Sequence, residues 1–194
     1  MLDEIVKHPD LFGLLRHACE EHDVCVTVCD ELMENGDLRQ DLIAILKIDA
    51  YFKTPKFSKP PKSIDCLIII KTGERKFGLT LVELKNVSDA RSLRPREIEP
   101  KFDTTIDDFL SGEFKSIFMN PGVTISYLHL WLIANPYKWS PERYRKKLKD
   151  TVLGMYLSKK PKFSFRNKVA GIKPMHPDDQ DNVVCLPGIT ESQR

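Results

Sequence analysis

Three polar residues, Asp65, Glu83 and Lys85, interrupt the two most apolar segments of this sequence. Residues 64–70 and 77–84 are otherwise nearly continuous apolar runs, which is the pattern of strands buried on both faces. Placing a polar group in such a strand costs free energy unless it has a partner, so these residues require a physical reason. Two carboxylates can supply oxygen ligands to Mg²⁺, and a neighbouring ammonium can orient an attacking water and stabilise developing charge.

The two apolar segments are predicted to form a β-hairpin, and the length of its loop decides which side chains face each other. A three-residue loop over 73–75 pairs Asp65 with Glu83, and directly opposed side chains have Cβ atoms about 5 Å apart. A two-residue loop would pair Asp65 with Val82 and turn the Asp65 side chain to the other face of the sheet. Because Gly73 suits a bulged loop, we expect the register that brings the two carboxylates together.

The predicted proximity of Asp65 and Glu83 carries an electrostatic cost. At about 5 Å and an effective dielectric constant near 20, two carboxylates repel each other by roughly 3 kcal/mol. Lys85 follows Glu83 by two residues, so it lies on the same face of the strand about 7 Å away and relieves part of the repulsion. A divalent cation relieves more of it, lowers the pKa of a bound water and screens a phosphate.

These residues resemble the motif of the PD-(D/E)XK nuclease superfamily, which has the restriction-endonuclease-like fold. The resemblance rests on Ser63-Ile64-Asp65 in one strand and Val82-Glu83-Leu84-Lys85 in the next. The predicted order of helix, three strands, helix and strand over about residues 9–135 is also similar to that family's αβββαβ core. The resemblance implies hydrolysis of phosphodiester bonds, usually in DNA, with Mg²⁺ or Mn²⁺ as cofactor. Asp65, Glu83 and the Leu84 carbonyl would ligate the metal, and Lys85 would serve the attacking water.

The Glu-x-Lys triplet alone is weak support, because it occurs four times. The copies begin at Glu74, Glu83, Glu99 and Glu113. Only the second copy lies inside an apolar strand that follows another acid-bearing apolar strand. The alternative interpretation is a surface ion pair between Glu83 and Lys85, worth under about 1 kcal/mol. Ile64 also stands where the family motif has proline.

Some members of this superfamily use a further glutamate from the first helix. The sequence does not choose among the candidates Glu20, Glu21, Glu31 and Glu34. A nuclease-like fold that binds DNA or a partner protein without cutting it also remains open, as does an unrelated α/β domain in which the three residues are structural.

The periodicity of the remaining chain predicts one α/β domain over residues 1–194, with a mixed central β-sheet flanked by helices. Its core covers about 9–135, and a basic helix and tail cover about 138–194. The predicted elements are a helix from Pro9 to about His22, a strand over 42–52 whose first half could be helical, a loop over 54–62, the hairpin strands over 63–71 and 76–85, a helix over 103–118, a strand over 123–134, a helix over 140–157, and short extended segments beyond 161.

Charge is distributed unevenly along the chain and predicts a nucleic-acid partner. Residues 1–45 carry a net charge of −8, whereas residues 138–168 carry +9. Basic side chains neutralise phosphates, and the interleaved Phe163 and Phe165 could stack on bases. The candidate nucleic-acid-binding residues are Lys101, Arg143, Lys146, Lys147 and Lys149. The alternatives are that the acidic and basic halves of the chain face each other, or that the basic helix face is simply solvated.

Several other classes are disfavoured by the composition. The longest apolar runs are too short to span a bilayer, the N-terminus is acidic, and no signal-peptide pattern follows, so we expect a cytoplasmic or otherwise intracellular protein without a membrane partner. Five irregularly spaced cysteines predict no disulfide framework, and Cys66 is expected to pack in the sheet. The His and Cys residues within 17–29 lack zinc-site spacing. A homodimer is plausible, because cutting both strands of a duplex commonly takes two sites.

Overall fold

The structure is a computed structural model that describes residues 1–87, 89, 93–159, 162–179 and 182–187. Its helices are α1 (Leu2–Lys7), α2 (Pro9–Phe12), α3 (Ile48–Phe52), α4 (Pro95–Thr104), a π-helix (Thr105–Glu113), α5 (Lys115–Phe118), α6 (Pro141–Lys147) and α7 (Val152–Lys159), with short 3₁₀ turns at Asp30–Leu32 and Leu148–Asp150. Its strands are β1 (Leu15–Arg16), β2 (Glu20–Glu21), β3 (Val24–Cys25), β4 (Thr27–Val28), β5 (Met33–Glu34), β6 (Asp37–Leu38), β7 (Ile43–Lys47), β8 (Cys66–Gly73), β9 (Lys76–Lys85), β10 (Thr124–Ala134), β11 (Phe163–Phe165), β12 (Lys168–Ala170), β13 (Ile172–Met175) and β14 (Val183–Val184).

A six-stranded mixed sheet in the order β1-β7-β8-β9-β10-β13 forms the centre of the fold. Strands β7, β8 and β9 are antiparallel neighbours, whereas β10 runs parallel to β9 and β13 runs parallel to β10. The larger hydrophobic cluster covers one face, with side chains of α1 to α7 against the sheet, and a smaller cluster covers the other. The predicted α/β class with a mixed central β-sheet is confirmed, although no described residue of an α-helix belongs to the smaller cluster.

The hairpin between β8 and β9 reaches the expected register by a different route. Its turn has two residues, since Gly73 pairs with Lys76 and Arg75 takes a positive φ of 54°. A register shift between Lys71 and Gly73 then compensates for the short turn, so that Cys66 pairs with Val82. The predicted three-residue loop is therefore wrong, but the bulge restores the register it was meant to give.

The N-terminal segment departs most from its prediction. No helix runs from Pro9 to His22, because α2 ends at Phe12 and the chain continues as β1 along the edge of β7, with Leu15 opposite Leu46. The apolar spacing of this segment serves the sheet edge instead of a helix face, and hydrogen bonding to β7 satisfies its backbone. The strand predicted over 42–52 is confirmed only in its first half, as β7, and the second half forms the helix α3. The alternative of a helical first half is wrong.

The two predicted long helices are each divided. The helix expected over 103–118 begins earlier, at Pro95, where proline occupies the first turn, and it continues as a π-helix and α5. The helix expected over 140–157 breaks at a 3₁₀ turn, and Thr151 then starts α7 by accepting a hydrogen bond from the Gly154 amide. A side chain at Gly154 would meet the Leu148 carbonyl, so glycine permits this sharp join.

One disulfide joins Cys19 to Cys66, and both residues are fully buried. The prediction that Cys66 packs in the sheet is confirmed, because Cys66 is the first residue of β8 and lies in the smaller hydrophobic cluster. Its bond to Cys19, in the loop before β2, was not predicted, because the cysteine spacing gives no sign of it. Among the described residues, none of the helices has the length and apolar character needed to cross a lipid bilayer.

Candidate active site

The candidate residues meet at the edge of the sheet where β7, β9 and β10 end. Lys47 is the last residue of β7 and pairs with Cys66, the first residue of β8. Lys85 ends β9 and lies in register with Ala134, the last residue of β10. The carboxyl ends of these three strands therefore share one edge, which is the usual location of ligand sites in sheets with parallel strands.

Asp65 is fixed immediately before β8 and is almost fully buried. Its amide donates to the Val82 carbonyl at 3.1 Å, and its carbonyl accepts from the Ile48 amide at 2.9 Å. The side chain is held as well, because the Leu84 amide donates to Oδ2 at 2.7 Å. The other oxygen, Oδ1, lies 4.0 Å from the Lys47 ammonium, too far for a hydrogen bond.

Glu83 is completely buried beside Asp65, with its two oxygens in different environments. Oε1 lies 2.6 Å from the Lys85 ammonium and 2.5 Å from the Lys101 ammonium. Oε2 is buried and has no hydrogen-bond partner among the described residues. Burial and the Asp65 carboxylate raise the pKa of Glu83 to about 7, although the two lysines oppose the shift.

The two lysines differ in how they reach Glu83. Burial lowers the pKa of Lys85, but the Glu83 carboxylate more than offsets that effect, so the pKa lies above its usual value. Lys101 comes from α4, where Thr105 Oγ1 donates to its carbonyl at 2.8 Å and in turn accepts from the Ile64 amide at 3.5 Å. The strand segment before Asp65 thus fixes the helix that delivers Lys101.

Sequence patterns missed a second group of charges next to Asp65. Asp49, on α3, lies 3.6 Å from the Lys47 ammonium and 2.7 Å from the Lys53 ammonium. The hydrogen bond that the Lys53 ammonium donates to Asp49 also raises the pKa of Lys53. An acidic residue just after the end of a strand could have indicated this group. The predicted strand over 42–52 hid that indication, because it put Asp49 in the middle of a strand.

The arrangement fits a divalent cation held by few protein ligands. Asp65 and Glu83 each commit one oxygen to the protein, and within the described part of the chain neither Asp65 Oδ1 nor Glu83 Oε2 is seen to accept a hydrogen bond. Among the described residues, no three Asp, Glu, His or Cys ligand atoms lie within 4.8 Å of one another at this place. The Leu84 side chain packs in the smaller hydrophobic cluster, so only its carbonyl could contribute. Two carboxylates completed by a carbonyl, waters and a phosphate suit Mg²⁺.

The four N-terminal glutamates considered as an additional ligand do not lie on a first helix. Glu20 and Glu21 form β2, Glu31 lies in a 3₁₀ turn, and Glu34 belongs to β5. Glu21 is near enough to the site to act electrostatically on Lys53. The predicted first helix ends at Phe12 instead of His22, so none of these glutamates comes from it.

The basic residues after β10 are displayed on the surface. Arg143 lies over the Trp139 ring at 5.2 Å. The side chains of Lys146, Lys147 and Lys149 are exposed, and they extend the positive surface along α6 and the following turn. The predicted stacking of bases on the phenylalanines is wrong, because Phe163 and Phe165 are 6% and 2% exposed and pack in the core.

A cavity of about 980 Å³ is lined in part by α4, the helix that also carries Lys101. Tyr137 and Trp139, just beyond the end of β10, line it with rings stacked 4.5 Å apart, and Arg96 and Glu97 line it from α4. Glu97 and Lys101 are one helical turn apart, so α4 borders the cavity at one end and reaches Glu83 at the other.

Comparisons with known proteins add no relative. No protein-family model matches the chain, and no curated protein or solved structure matches it. The function therefore has to be inferred from the site itself.

Proposed function

We propose that this protein is a metal-dependent nuclease that hydrolyses phosphodiester bonds in DNA. The observation that carries the proposal is the pairing of Asp65 and Glu83 at the ends of adjacent strands, each with one carboxylate oxygen held by the protein and one left for a ligand. Burying two acids side by side is costly, and a bound divalent cation offsets that cost. The Lys85 ammonium beside them supplies the third group that the chemistry needs.

The residues divide the work in a way that their environments support. A bound Mg²⁺ or Mn²⁺ would screen the phosphate and acidify a water. Asp65 and Glu83 would hold the metal, with the Leu84 carbonyl as a further oxygen. Because its pKa lies above the usual value, Lys85 stays protonated near neutral pH. Its role is therefore to orient the water and stabilise negative charge on the phosphate, not to accept a proton.

The topology around the site supports the same proposal. Strands β7, β8 and β9 are consecutive neighbours, α4 and the π-helix follow, and β10 returns parallel to β9. This order is similar to the three-strand, helix and strand part of the αβββαβ order of restriction-endonuclease-like proteins, with the short α1 and α2 at the position of the first helix in that order.

The surface next to the site suits a nucleic acid. The exposed Lys146, Lys147 and Lys149 can neutralise phosphates, and Tyr137 and Trp139 offer aromatic rings at the cavity. We propose that DNA crosses the sheet edge between this basic surface and Glu83. Cutting both strands of a duplex would then take two copies of the chain.

A second candidate function is DNA binding without cleavage. One observation favours it: Lys85 and Lys101 both lie within hydrogen-bond distance of Glu83 Oε1. Two ammonium groups provide positive charge at the place where a metal would provide it, so the site is partly neutralised by the protein alone. In this case Lys101 would hold Glu83 permanently and phosphate contacts would be the whole function.

Nicking of supercoiled plasmid DNA separates the two candidates. The wild-type chain is incubated with Mg²⁺ or Mn²⁺, with and without EDTA, beside the variants Asp65→Asn, Glu83→Gln and Lys85→Ala. We expect metal-dependent nicking that EDTA stops and that each variant abolishes. A matched control is Glu74→Gln, which alters the Glu-x-Lys triplet at the exposed hairpin turn and should cut at the wild-type rate.

The outcomes are distinct. Retarded migration of DNA without nicking under any metal would support the binding function and contradict the nuclease. Nicking that persists in all three site variants would show that the cleavage belongs to another site or to a contaminant. A single-stranded RNA substrate in the same assay tests whether DNA is the substrate class.

A further inference from the structure

Away from the sheet edge, three metal-ligating side chains from two distant parts of the chain meet. Cys29 follows β4, Glu31 lies in the adjoining 3₁₀ turn, and Cys185 follows β14 near the far end of the described chain. One ligand atom from each, two thiol sulfurs and a carboxylate oxygen, lies within 4.8 Å of the other two. This cluster takes no part in the nuclease proposal.

The backbone holds the two cysteines side by side. β4 and β14 are parallel, with Val28 opposite Val184, so the next residue on each strand is Cys29 and Cys185. The Cys29 amide donates to the Val184 carbonyl at 3.1 Å, and this bond fixes the register where the thiols project. A second hydrogen bond joins the same two segments, because Asn182 Nδ2 donates to the Cys25 carbonyl at 2.8 Å.

We propose that Cys29, Cys185 and Glu31 bind one Zn²⁺, which joins the C-terminal strand to the N-terminal loop region. Thiolates and carboxylates are common zinc ligands, and two sulfurs bound tetrahedrally at about 2.3 Å from zinc lie about 3.8 Å apart. The Cys29 and Cys185 sulfurs lie at most 4.8 Å apart, so they need to approach each other by no more than about 1 Å to bind one zinc. Three protein ligands leave the fourth position for water.

The chemistry of the cluster favours a bound cation. Two thiolates and a carboxylate within 4.8 Å of one another would repel each other without a cation between them. Zinc removes that conflict by stabilising the thiolates and the carboxylate together. The soft sulfur pair selects zinc over Mg²⁺, so this site and the Asp65–Glu83 site take different metals.

The geometry also differs from that of a zinc finger. The close Cys and His residues of 17–29 do not gather, since Cys19 is bonded to Cys66. Cys29 finds its partner only through the β4–β14 pairing, which sequence spacing does not show. A zinc at this place would add to stability by binding the folded chain alone.

The test is zinc binding to the full chain, kept in a mild reductant and freed of metal by a chelator. We expect one equivalent of Zn²⁺ to bind and to raise the melting temperature. Co²⁺ in its place should show a thiolate-to-cobalt charge-transfer band. Cys29→Ser or Cys185→Ser should lose this band and the equivalent, and Glu31→Gln should weaken binding by more than about tenfold, the loss that removing even an outer-shell partner brings.

Cys25→Ser is the matched control, because Cys25 is exposed, near in sequence and outside the cluster. It should bind zinc like the wild type. The proposal is overturned if the reduced wild-type chain binds no zinc, if Cys25→Ser loses zinc as fully as Cys29→Ser, or if mass spectrometry finds Cys29 and Cys185 joined as a disulfide in freshly purified protein. The wild-type titration keeps the proposal testable even if a variant fails to fold.

Discussion

The Lys101 ammonium lies 2.5 Å from Glu83 Oε1, which joins α4 to the buried end of β9. The Lys85 ammonium lies 2.6 Å from the same oxygen. Among the described residues, both ion pairs of Glu83 therefore involve Oε1, and Oε2 has no hydrogen-bond partner. A divalent cation entering beside Glu83 must approach two positive charges. Lys101 therefore influences both how tightly a metal binds and how a phosphate is received.

The competition between Lys101 and the metal predicts a gain in metal affinity. Lys101→Ala removes a positive charge next to the metal position, and two charges about 5 Å apart interact by a few kcal/mol at an effective dielectric constant near 20. At pH 8.5, where Glu83 is ionised, we expect Mn²⁺ to bind at least about tenfold more tightly, as measured by calorimetry. Lys115→Ala, on an exposed lysine, is the control. Weaker Mn²⁺ binding in Lys101→Ala would mean that Lys101 supports the metal site instead of competing with it.

The raised pKa of Glu83 predicts a pH dependence of stability. The unfolded carboxyl releases its proton near its ordinary pKa of 4.5, whereas the folded one retains it to about 7. Between these values the folded state binds more protons, so the free energy of unfolding falls as pH rises, by up to about 3 kcal/mol, and then levels off. Glu83→Gln has no such group and should lack this fall.

Chemical denaturation at intervals from pH 4.5 to 8.5, without metal, measures the effect. The stability of Glu83→Gln relative to wild type should increase through this window. Metal binding should strengthen over the same range in the wild type, since only the ionised carboxylate binds the cation. A constant difference between the two proteins at every pH would contradict the raised pKa.

The basic surface predicts a loss of DNA affinity that is independent of sequence. The triple variant Lys146→Ala, Lys147→Ala and Lys149→Ala removes three exposed charges and leaves Arg143 on the Trp139 ring. Each lysine that binds a phosphate should, when it is replaced, reduce the salt-dependence slope by about 0.9 for duplex DNA. Electrophoretic titrations at several salt concentrations give both the affinity and the slope.

A control variant with the same change in net charge separates the effect of the basic surface on DNA affinity from the effect of net charge alone. Lys7, Lys59 and Lys115 are exposed and lie on other elements. Changing these three to alanine should alter the slope less than changing the basic surface. Equal effects of the two triple variants would show that only net charge matters and that α6 is not a docking surface.

The Cys19–Cys66 bond predicts a thiol count and a stability effect. Labelling of the denatured, non-reduced chain should modify three of the five cysteines, namely Cys25, Cys29 and Cys185. With 47 residues between its ends in sequence, the bond stabilises the fold by about 4 kcal/mol in the chain-entropy model. Full reduction should therefore lower the melting temperature. Labelling of all five cysteines would refute the bond.

The sequence predicted the centre of the fold and the register that brings Asp65 and Glu83 together for a shared physical reason. Apolar runs near 64–70 and 77–84 can be satisfied only in a buried sheet, and acids inside them stand out. Asp65 and Glu83 therefore emerge from local patterning. Even the wrong loop length did little harm, because the bulge before Gly73 restored the pairing that burial of the side chains demands.

What the sequence could not show depends on contacts between distant segments. Lys101 was predicted only as a nucleic-acid-binding residue, because its contact with Glu83 depends on Thr105 and Ile64, which hold α4 against the strand. The disulfide of Cys66 has no spacing signature. The first helix failed because residues 9–22 have enough apolar spacing for a helix but border an unpaired sheet edge, and tertiary pairing overrode local preference.

Anomalous diffraction from a crystal soaked with Mn²⁺ would show whether Asp65 and Glu83 form a metal site. We predict a peak bound by Asp65 Oδ1 and Glu83 Oε2, at about the 2.1 Å typical of small hard cations, with the Lys101 ammonium displaced from Glu83. A map at saturating Mn²⁺ with no peak between these carboxylates, and with Lys101 still against Glu83, would contradict the metal site and with it the proposed nuclease.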